Sequence, residues 1–403
     1  MVLEKQIASL TLYLLIFVSF TNLTEYWVQR YGLHLLPVLL LLAGGATLLE
    51  VVKSRKNLLS NYKDQSVHVI FFFFFIFIAA GLINADLSKA FKEELYPLLV
   101  GFFIFNLILL NVQERKELDY VLLVSLLSGM VLFMQSVYML IREIMSLETY
   151  IHVRLVGWWG DPNAYAFIMS IVYLLSFYFM NKEGKGWSFL GYLSHLCSAG
   201  GILLSLSRGG ILVLILISLF NWRTLWRHKF YLMLLIYSSA IVYMVVYLNV
   251  FNFSYLKHFS IMRLLPTRAD SLDNFLSGRL TTAATGLLIY ARHPFTGAGF
   301  GNILDYAQTI SQMRLHTHNM YIQILAIAGP LPMVSYIFML GFLWFSMPGK
   351  VAAKINYRQI LGSFIIALAA MGLSIHFLLY LKPVWIFLSL FPLKGSGLTY
   401  YKN

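Results

Sequence analysis

Charge is scarce in this chain: 12% of its 403 residues are Asp, Glu, Lys or Arg, against 59% hydrophobic residues and a mean hydropathy of +0.74. A soluble domain needs more charge to cover its surface, so the composition excludes one and indicates a polytopic membrane protein. Cys197 is the only cysteine and falls inside an apolar run, which excludes an intrachain disulfide and a thiolate metal cluster. Strand-like alternation over about ten residues is missing, which excludes a membrane barrel. Low-complexity linkers and paired internal repeats are missing too. After the first apolar run there is no small-x-small cleavage site but Thr24-Glu25-Tyr26-Trp27, so that run is expected to stay as a helix.

What is present is a succession of apolar runs long enough to cross a hydrocarbon core of roughly 30 Å as helices. They lie at Ile7–Leu23, Leu33–Val51, Val67–Asn84, Tyr96–Val112, Tyr120–Ile141, Asn163–Asn181, Trp187–Ser207, Gly209–Asn221, Phe230–Leu248, Met320–Ser346, Ile360–Tyr380 and Pro383–Leu393. These runs predict an all-α protein of about twelve transmembrane helices, a single membrane domain over residues 1–403. The Phe71–Phe75 run is expected to supply aromatic bulk to lipid or to helix packing.

Lys and Arg set the orientation. Lys53, Arg55, Lys56 and Lys63, then Arg115 and Lys116, Lys182 and Lys185, Arg223, Arg227 and Lys229, and Lys350, Lys354 and Arg358 fall in alternate short loops. With Lys5, Lys394 and Lys402 they make up more than half of the 30 basic residues, and the positive-inside rule makes that face cytoplasmic. Both termini are then expected inside, and residues 249–319 form one large external loop between the ninth and tenth spans. The net charge of +13 is thus largely topological and does not indicate nucleic-acid binding.

Four outward features carry chemistry. The stretch from Arg154 to Asn163 contains paired tryptophans and a helix-starting Asp161-Pro162-Asn163, which a helix start and interfacial anchor explain except for Arg154, a candidate headgroup contact. Ser205 to Gly210 forms a tight helical turn that needs its small residues but not Arg208, which faces either a partner or lipid phosphate. Ser277-Gly278-Arg279 is followed by Arg292-His293-Pro294-Phe295-Thr296-Gly297-Ala298-Gly299-Phe300-Gly301-Asn302. This glycine pattern is neither a Walker A nor a dinucleotide fingerprint, and suits a turn that brings backbone to a ligand or a tight connection between helices. Last comes His316-Thr317-His318-Asn319, at the start of the tenth span. No cysteine or H-E-x-x-H accompanies it, and Asp161, Asp270, Asp273 and Asp305 are scattered, so no metal site is expected. A histidine there can cap a helix; beside several arginines at a membrane it points to catalysis on an anionic substrate.

In these motifs the stretch from Arg154 to Gly329 resembles the bacterial O-antigen ligase and polymerase superfamily of membrane glycosyltransferases. The shared patterns are G-x-x-G-D-P-N at Gly157–Asn163, S-R-G-G at Ser207–Gly210, S-G-R with a downstream H-P-F-x-G-x-G-x-G-N at Ser277–Asn302, and His318-Asn319 followed by nine residues and Gly329. Ligases commonly continue with a glycine and Thr-Tyr, where this chain has Pro332-Met333-Val334, which leaves repeat-unit polymerases equally open.

The resemblance implies a GT-C-like architecture and transfer of a glycan from undecaprenyl diphosphate to a glycan or lipid A-core acceptor, at the outer face of the bacterial cytoplasmic membrane. It assigns catalysis to His318 as general base, a role suited to imidazole, and to Arg208 and Arg279 as a clamp on the leaving diphosphate. It implies inversion at the anomeric carbon with neither metal nor cofactor. Arg154, Asn163, Arg292, Gly299, Asn302 and Asn319 are the expected substrate contacts. The competing reading is a transporter or flippase for a lipid-linked or anionic substrate, which would show broken or charged helices at the membrane midplane and two related halves.

Overall fold

The structure is a computed structural model that describes residues 2–23, 27, 28, 31, 34–54, 58–145, 155–228, 279–312, 316–347 and 355–394. Arg154, the expected ninth span Phe230–Leu248, and Arg263, Arg268 and Arg314 lie outside the described residues.

Among the described residues the regular elements are all helical. In chain order they are α1 Val2–Thr21, α2 Leu35–Ser54, α3 Gln65–Leu82, α4 Leu87–Asn111 (with a π-helical turn at Phe91–Leu95), α5 Arg115–Met145, α6 Pro162–Met180, α7 Lys185–Leu204, α8 Arg208–Phe220, α9 Trp222–Arg227, α10 Arg279–Arg292, α11 Ile303–Ser311, α12 Met320–Ala328, α13 Pro330–Phe345, α14 Ile355–Gly372 and α15 Lys382–Leu388. Six of them are long and apolar enough to cross a membrane: α2 to α7. Shorter apolar helices lie at Lys5–Thr21, Arg208–Phe220, Pro330–Phe345 and Tyr357–Gly372.

The chain forms two compact units. The first draws on residues 1–125, 276–352 and 372–403, the second on residues 126–275 and 353–371. In the second unit α6 is the central helix, with every side chain from Ala164 to Met180 buried against neighbours that include α7 and α8. A helix apolar on all sides is stable only inside such a bundle. Its start is set by Asp161, whose carboxylate accepts from the amides of Asn163 at 2.8 Å and Ala164 at 2.7 Å, with Pro162 in the first turn.

In the first unit α1 packs on α2, α3 on α13, α4 on α15, and α12 on α10 and α13. The phenylalanine run is divided between the packed interior and the exposed surface. Phe73 and Phe74 are buried while Phe72 and Phe75 project outward, along with Leu41, Leu48 and Val52 of α2. Such an apolar exterior suits a hydrocarbon solvent.

Three expected spans are shorter than their apolar runs; the twelfth, drawn over Pro383–Leu393, is α-helical only over Lys382–Leu388. The tenth, drawn as one helix over Met320–Ser346, is broken into α12 and α13 at Gly329, which has φ +81° and ψ −170°. Pro330 lacks an amide proton and disfavours helical backbone in the residue before it, so helix ends there and restarts. A Cβ on Gly329 would lie 2.4 Å from the Phe295 carbonyl oxygen, so the break is filled by backbone from the preceding loop. The eleventh helix ends at Gly372 rather than Tyr380, leaving a non-helical segment with polar Ser374 and His376 before a short 3-10 turn at Leu378–Tyr380.

Candidate active site

The site is built on the N-terminus of α12. Asn319 is its cap: its side-chain oxygen accepts from the amides of Tyr321 at 3.0 Å and Ile322 at 3.2 Å. Before it, the Thr317 hydroxyl lies 2.9 Å from both the Asn319 carbonyl and the Gln323 side-chain oxygen, which folds the turn back on its own helix. The Thr282 hydroxyl of α10 donates toward the Thr317 carbonyl at 3.1 Å. Between these fixed points His318 has φ +50°. A left-handed conformation costs a non-glycine residue about 1 kcal/mol or more, and it persists here because both flanking residues are bonded in place.

Three imidazoles meet at this turn. The rings of His316 and His376 stack with centroids 4.0 Å apart and planes within 16°. His318 stands edge-on to His376, at 5.4 Å and 86°. The Nδ1 atoms of His316 and His376 are buried with no protein hydrogen-bond partner. Burial, then the neighbouring His318, holds His316 down to about 4, and burial followed by His316 and His318 holds His376 well below the ordinary imidazole range. Both are therefore neutral at pH 7. Among the described residues no group of three His, Cys, Asp or Glu side chains converges as a metal site would.

Arg279 joins the cluster. It is the first described residue of α10, the helix that Thr282 ties to the histidine turn, and its guanidinium donates to the Ser374 hydroxyl at 3.2 Å. A cation and three imidazoles thus share one scaffold within the first unit. His316 is packed into the cluster, its ring covering His376.

Arg208 belongs to the second unit, in the first turn of α8. Ser207 caps that helix, accepting from the Gly210 amide at 3.2 Å, and the Ser207 hydroxyl donates to the Asn163 side-chain oxygen at 2.8 Å. Asn163 therefore orients the turn that presents Arg208. Leu206, two residues earlier, has φ +52°, so this turn too carries a strained non-glycine residue. A guanidinium at a helix N-terminus adds its charge to the positive end of the helix dipole, an arrangement that favours an anion there.

The remaining expected contacts lie elsewhere. Arg292 is exposed at the other end of α10, roughly 20 Å along the axis from Arg279 at the usual helical rise. Gly299 has φ +82°, and a Cβ there would meet the Asn84 carbonyl carbon at 2.3 Å. Asn302 donates to the carbonyls of Asn84 at 2.6 Å and Ala298 at 3.0 Å. The amides of Ala298, Gly299 and Phe300 are taken by the carbonyls of Ala326, Ile327 and Gly81, and the Gly301 amide by the buried Glu94 carboxylate at 2.6 Å. The amides of the glycine loop are thus engaged by the protein itself. The loop holds the break after α12 against the segment between α3 and α4.

His376 and Ser374 escaped the sequence analysis because they fall inside an apolar run drawn as a span. The signal was there: an ionisable side chain within such a run is usually functional.

A comparison with curated proteins returns no match to this chain. The sequence model of the O-antigen ligase family matches residues 193–337, a stretch that holds Arg208, Arg279, His318 and Gly329 in order. The chain thus resembles the O-antigen ligase and polymerase family of membrane glycan-transfer enzymes.

Proposed function

We propose that this protein is an inverting, metal-independent glycosyltransferase that moves a glycan from undecaprenyl diphosphate to an acceptor sugar hydroxyl at the outer face of the cytoplasmic membrane, as an O-antigen ligase or a repeat-unit polymerase. The observation that carries this reading is the bonding of Arg279 and the histidine turn into one scaffold. In the proposed reaction His318 takes the proton from the acceptor hydroxyl as the oxygen attacks the anomeric carbon. The bond to the lipid diphosphate breaks on the opposite face, which inverts the centre. Charge then builds on the diphosphate, and the Arg279 and Arg208 guanidiniums stabilise it more in the transition state than in the bound donor. About twelve spans, both termini inside and residues 249–319 outside are the topology that goes with this chemistry.

The transporter alternative calls for a broken helix whose free ends face a substrate. The break at Gly329 is filled by the Phe295 backbone, which argues against that role. Purified protein with a defined polyprenyl-diphosphate glycan and acceptor tests the proposal. His318→Gln is expected to fold, retain donor and lose about 10²–10⁴-fold in turnover, as loss of a positioned base does. Near-normal turnover of His318→Gln would sink the general-base assignment.

A further inference from the structure

We infer that α10 is an interfacial helix, lying in the plane of the membrane with its leucine face set into the hydrocarbon edge of the outer leaflet. Its side chains are arranged inside out for a helix in water. The face packed on α11 and α12 buries Thr282, Thr285, Gly286 and Ile289, whereas Leu287 and Leu288 on the opposite side are 47% and 52% exposed. Ala284 and Ala291 are exposed on that same side, and Phe295, just past the helix, is 85% exposed. A helix bordered by water buries its large apolar side chains and presents polar ones. The next helix of the same segment does so: α11 buries Ile303 and Ala307 and exposes Gln308 and Thr309. Two adjacent helices thus face different solvents.

Height and continuity make the solvent of α10 lipid. The loop that follows α10 is bonded to the end of α3, a helix long and apolar enough to cross a membrane. The Phe300 amide donates to the Gly81 carbonyl at 2.9 Å, and the Asn84 side chain donates to the Gly297 carbonyl at 2.9 Å. α10 therefore ends at the level where α3 does. The Phe295 backbone also fills the break at Gly329, from which α13 starts with Leu331, Val334 and Phe338 exposed along one side. The outward apolar side of α10 thus meets, at Phe295, the outward apolar row of α13. Exposed Arg292 in the last turn suits a cation that reaches lipid phosphate from the edge of such a face. Interfacial helices bury their apolar face roughly 5–10 Å into the headgroup and acyl boundary and keep basic side chains at its rim. Lying flat, α10 holds Arg279 at headgroup depth instead of about 20 Å above it. The value of that depth to catalysis rests on the proposed grip of Arg279 on a lipid diphosphate. That the leaflet is the outer one rests on the proposed topology, whereas the lipid contact does not.

Spin-label depth measurement tests this placement. In full-length protein carrying Cys197→Ser, each of Ala284→Cys, Leu288→Cys, Ala291→Cys and Gln308→Cys would receive a thiol-specific nitroxide, with the protein in phosphatidylethanolamine and phosphatidylglycerol vesicles. Oxygen concentrates in hydrocarbon and a nickel chelate stays in water, so their relative effects on the nitroxide report its depth. The three α10 labels are expected to meet oxygen more than the chelate, and the Gln308→Cys label the reverse. The Ala284→Cys and Ala291→Cys labels, about 10 Å apart along the axis, should lie at the same depth within about 4 Å. Chelate access at Leu288→Cys equal to that at Gln308→Cys would place α10 in water and overturn the inference. Shielding of the α10 labels from both reagents would overturn it by placing protein there, from a second copy or another part of this chain. A depth difference of about 10 Å between Ala284→Cys and Ala291→Cys would stand the helix upright and overturn it as well. Three labels on one face keep the test decisive if one variant fails to fold. No turnover enters these measurements, so failure of the glycosyltransferase reading and failure of the interfacial helix are separate results.

Discussion

The glycine loop at residues 297–302 and the histidine turn at residues 316–319 both interrupt helix in the same unit, and both contain residues at positive φ. Both also read from sequence as places for a ligand. They differ in where their polar groups go. In the loop, the amides of Ala298, Gly299, Phe300 and Gly301 are bonded to protein oxygens, and the Asn302 amide spans two carbonyls. In the turn, the Thr317 hydroxyl and the Asn319 side chain tie the backbone to the start of α12, and two imidazole nitrogens, of His316 and of the His376 ring stacked on it, are buried without a protein partner. Buried polar groups in native proteins are nearly always satisfied, so these two nitrogens set the turn apart from the loop. A glycine-rich motif by itself does not distinguish the two cases.

The largest expected effect is on the loop. Gly299→Ala would force φ +82° on a residue with a Cβ and drive that carbon into the backbone of Asn84 and Ala85. Strain and overpacking together should cost on the order of 3–5 kcal/mol, seen as collapse of folded yield and of the thermal transition, with normal turnover in whatever protein survives. If Gly299→Ala folds normally and loses only donor affinity, the loop is a ligand site and the contrast disappears.

A smaller effect is expected at the turn. Arg279→Lys keeps a positive charge but not the planar fork, so it should reduce kcat on the order of ten- to a hundredfold while melting stays close to that of the unaltered protein. Full activity of the lysine variant would remove bidentate diphosphate contact from the mechanism.

The smallest is a pH effect on stability. His316 titrates at about 4 when folded, because of burial and then of His318, whereas the unfolded chain takes up the same proton near the ordinary value of about 6.5. The stabilisation from a neutral buried His316 is therefore complete above about pH 6.5 and is lost progressively as pH falls toward about 4. Between pH 7 and pH 5.5 this amounts to about 1 kcal/mol, and His376 moves stability in the same direction. Thermal unfolding of purified protein across that range should show the decline, with a shallower slope in His316→Asn. An unchanged slope would mean that His316 is solvated and the cluster looser than the ring geometry requires.

Much of the scaffold was legible because burial in hydrocarbon is a property of long stretches. The apolar runs located both ends of α1 through α8 to within about five residues except the start of α4, which begins at Leu87 rather than Tyr96, and Asp161-Pro162-Asn163 and Ser207-Arg208 marked helix starts through ordinary capping chemistry. Two kinds of feature were not legible. Helix breaks at Gly329 and Gly372 lie within runs whose hydropathy continues unbroken, so length and composition extend the span past the point where backbone geometry stops it. The importance of Glu94, Ser374 and His376 arises from partners far away in the chain: Gly301, Arg279 and His318.

By itself, then, the amino-acid order determined that the chain is helical and apolar and where most of its helices begin. These follow from local propensity, capping and transfer from water, all of which act within a few turns of chain. Only the tertiary structure decided that the glycine loop uses its amides on the protein itself, that Asn163 and Asn319 support turns, and that His376 faces His318. Each of those outcomes depends on which segments meet across tens to hundreds of residues, and no short-range preference contains that information.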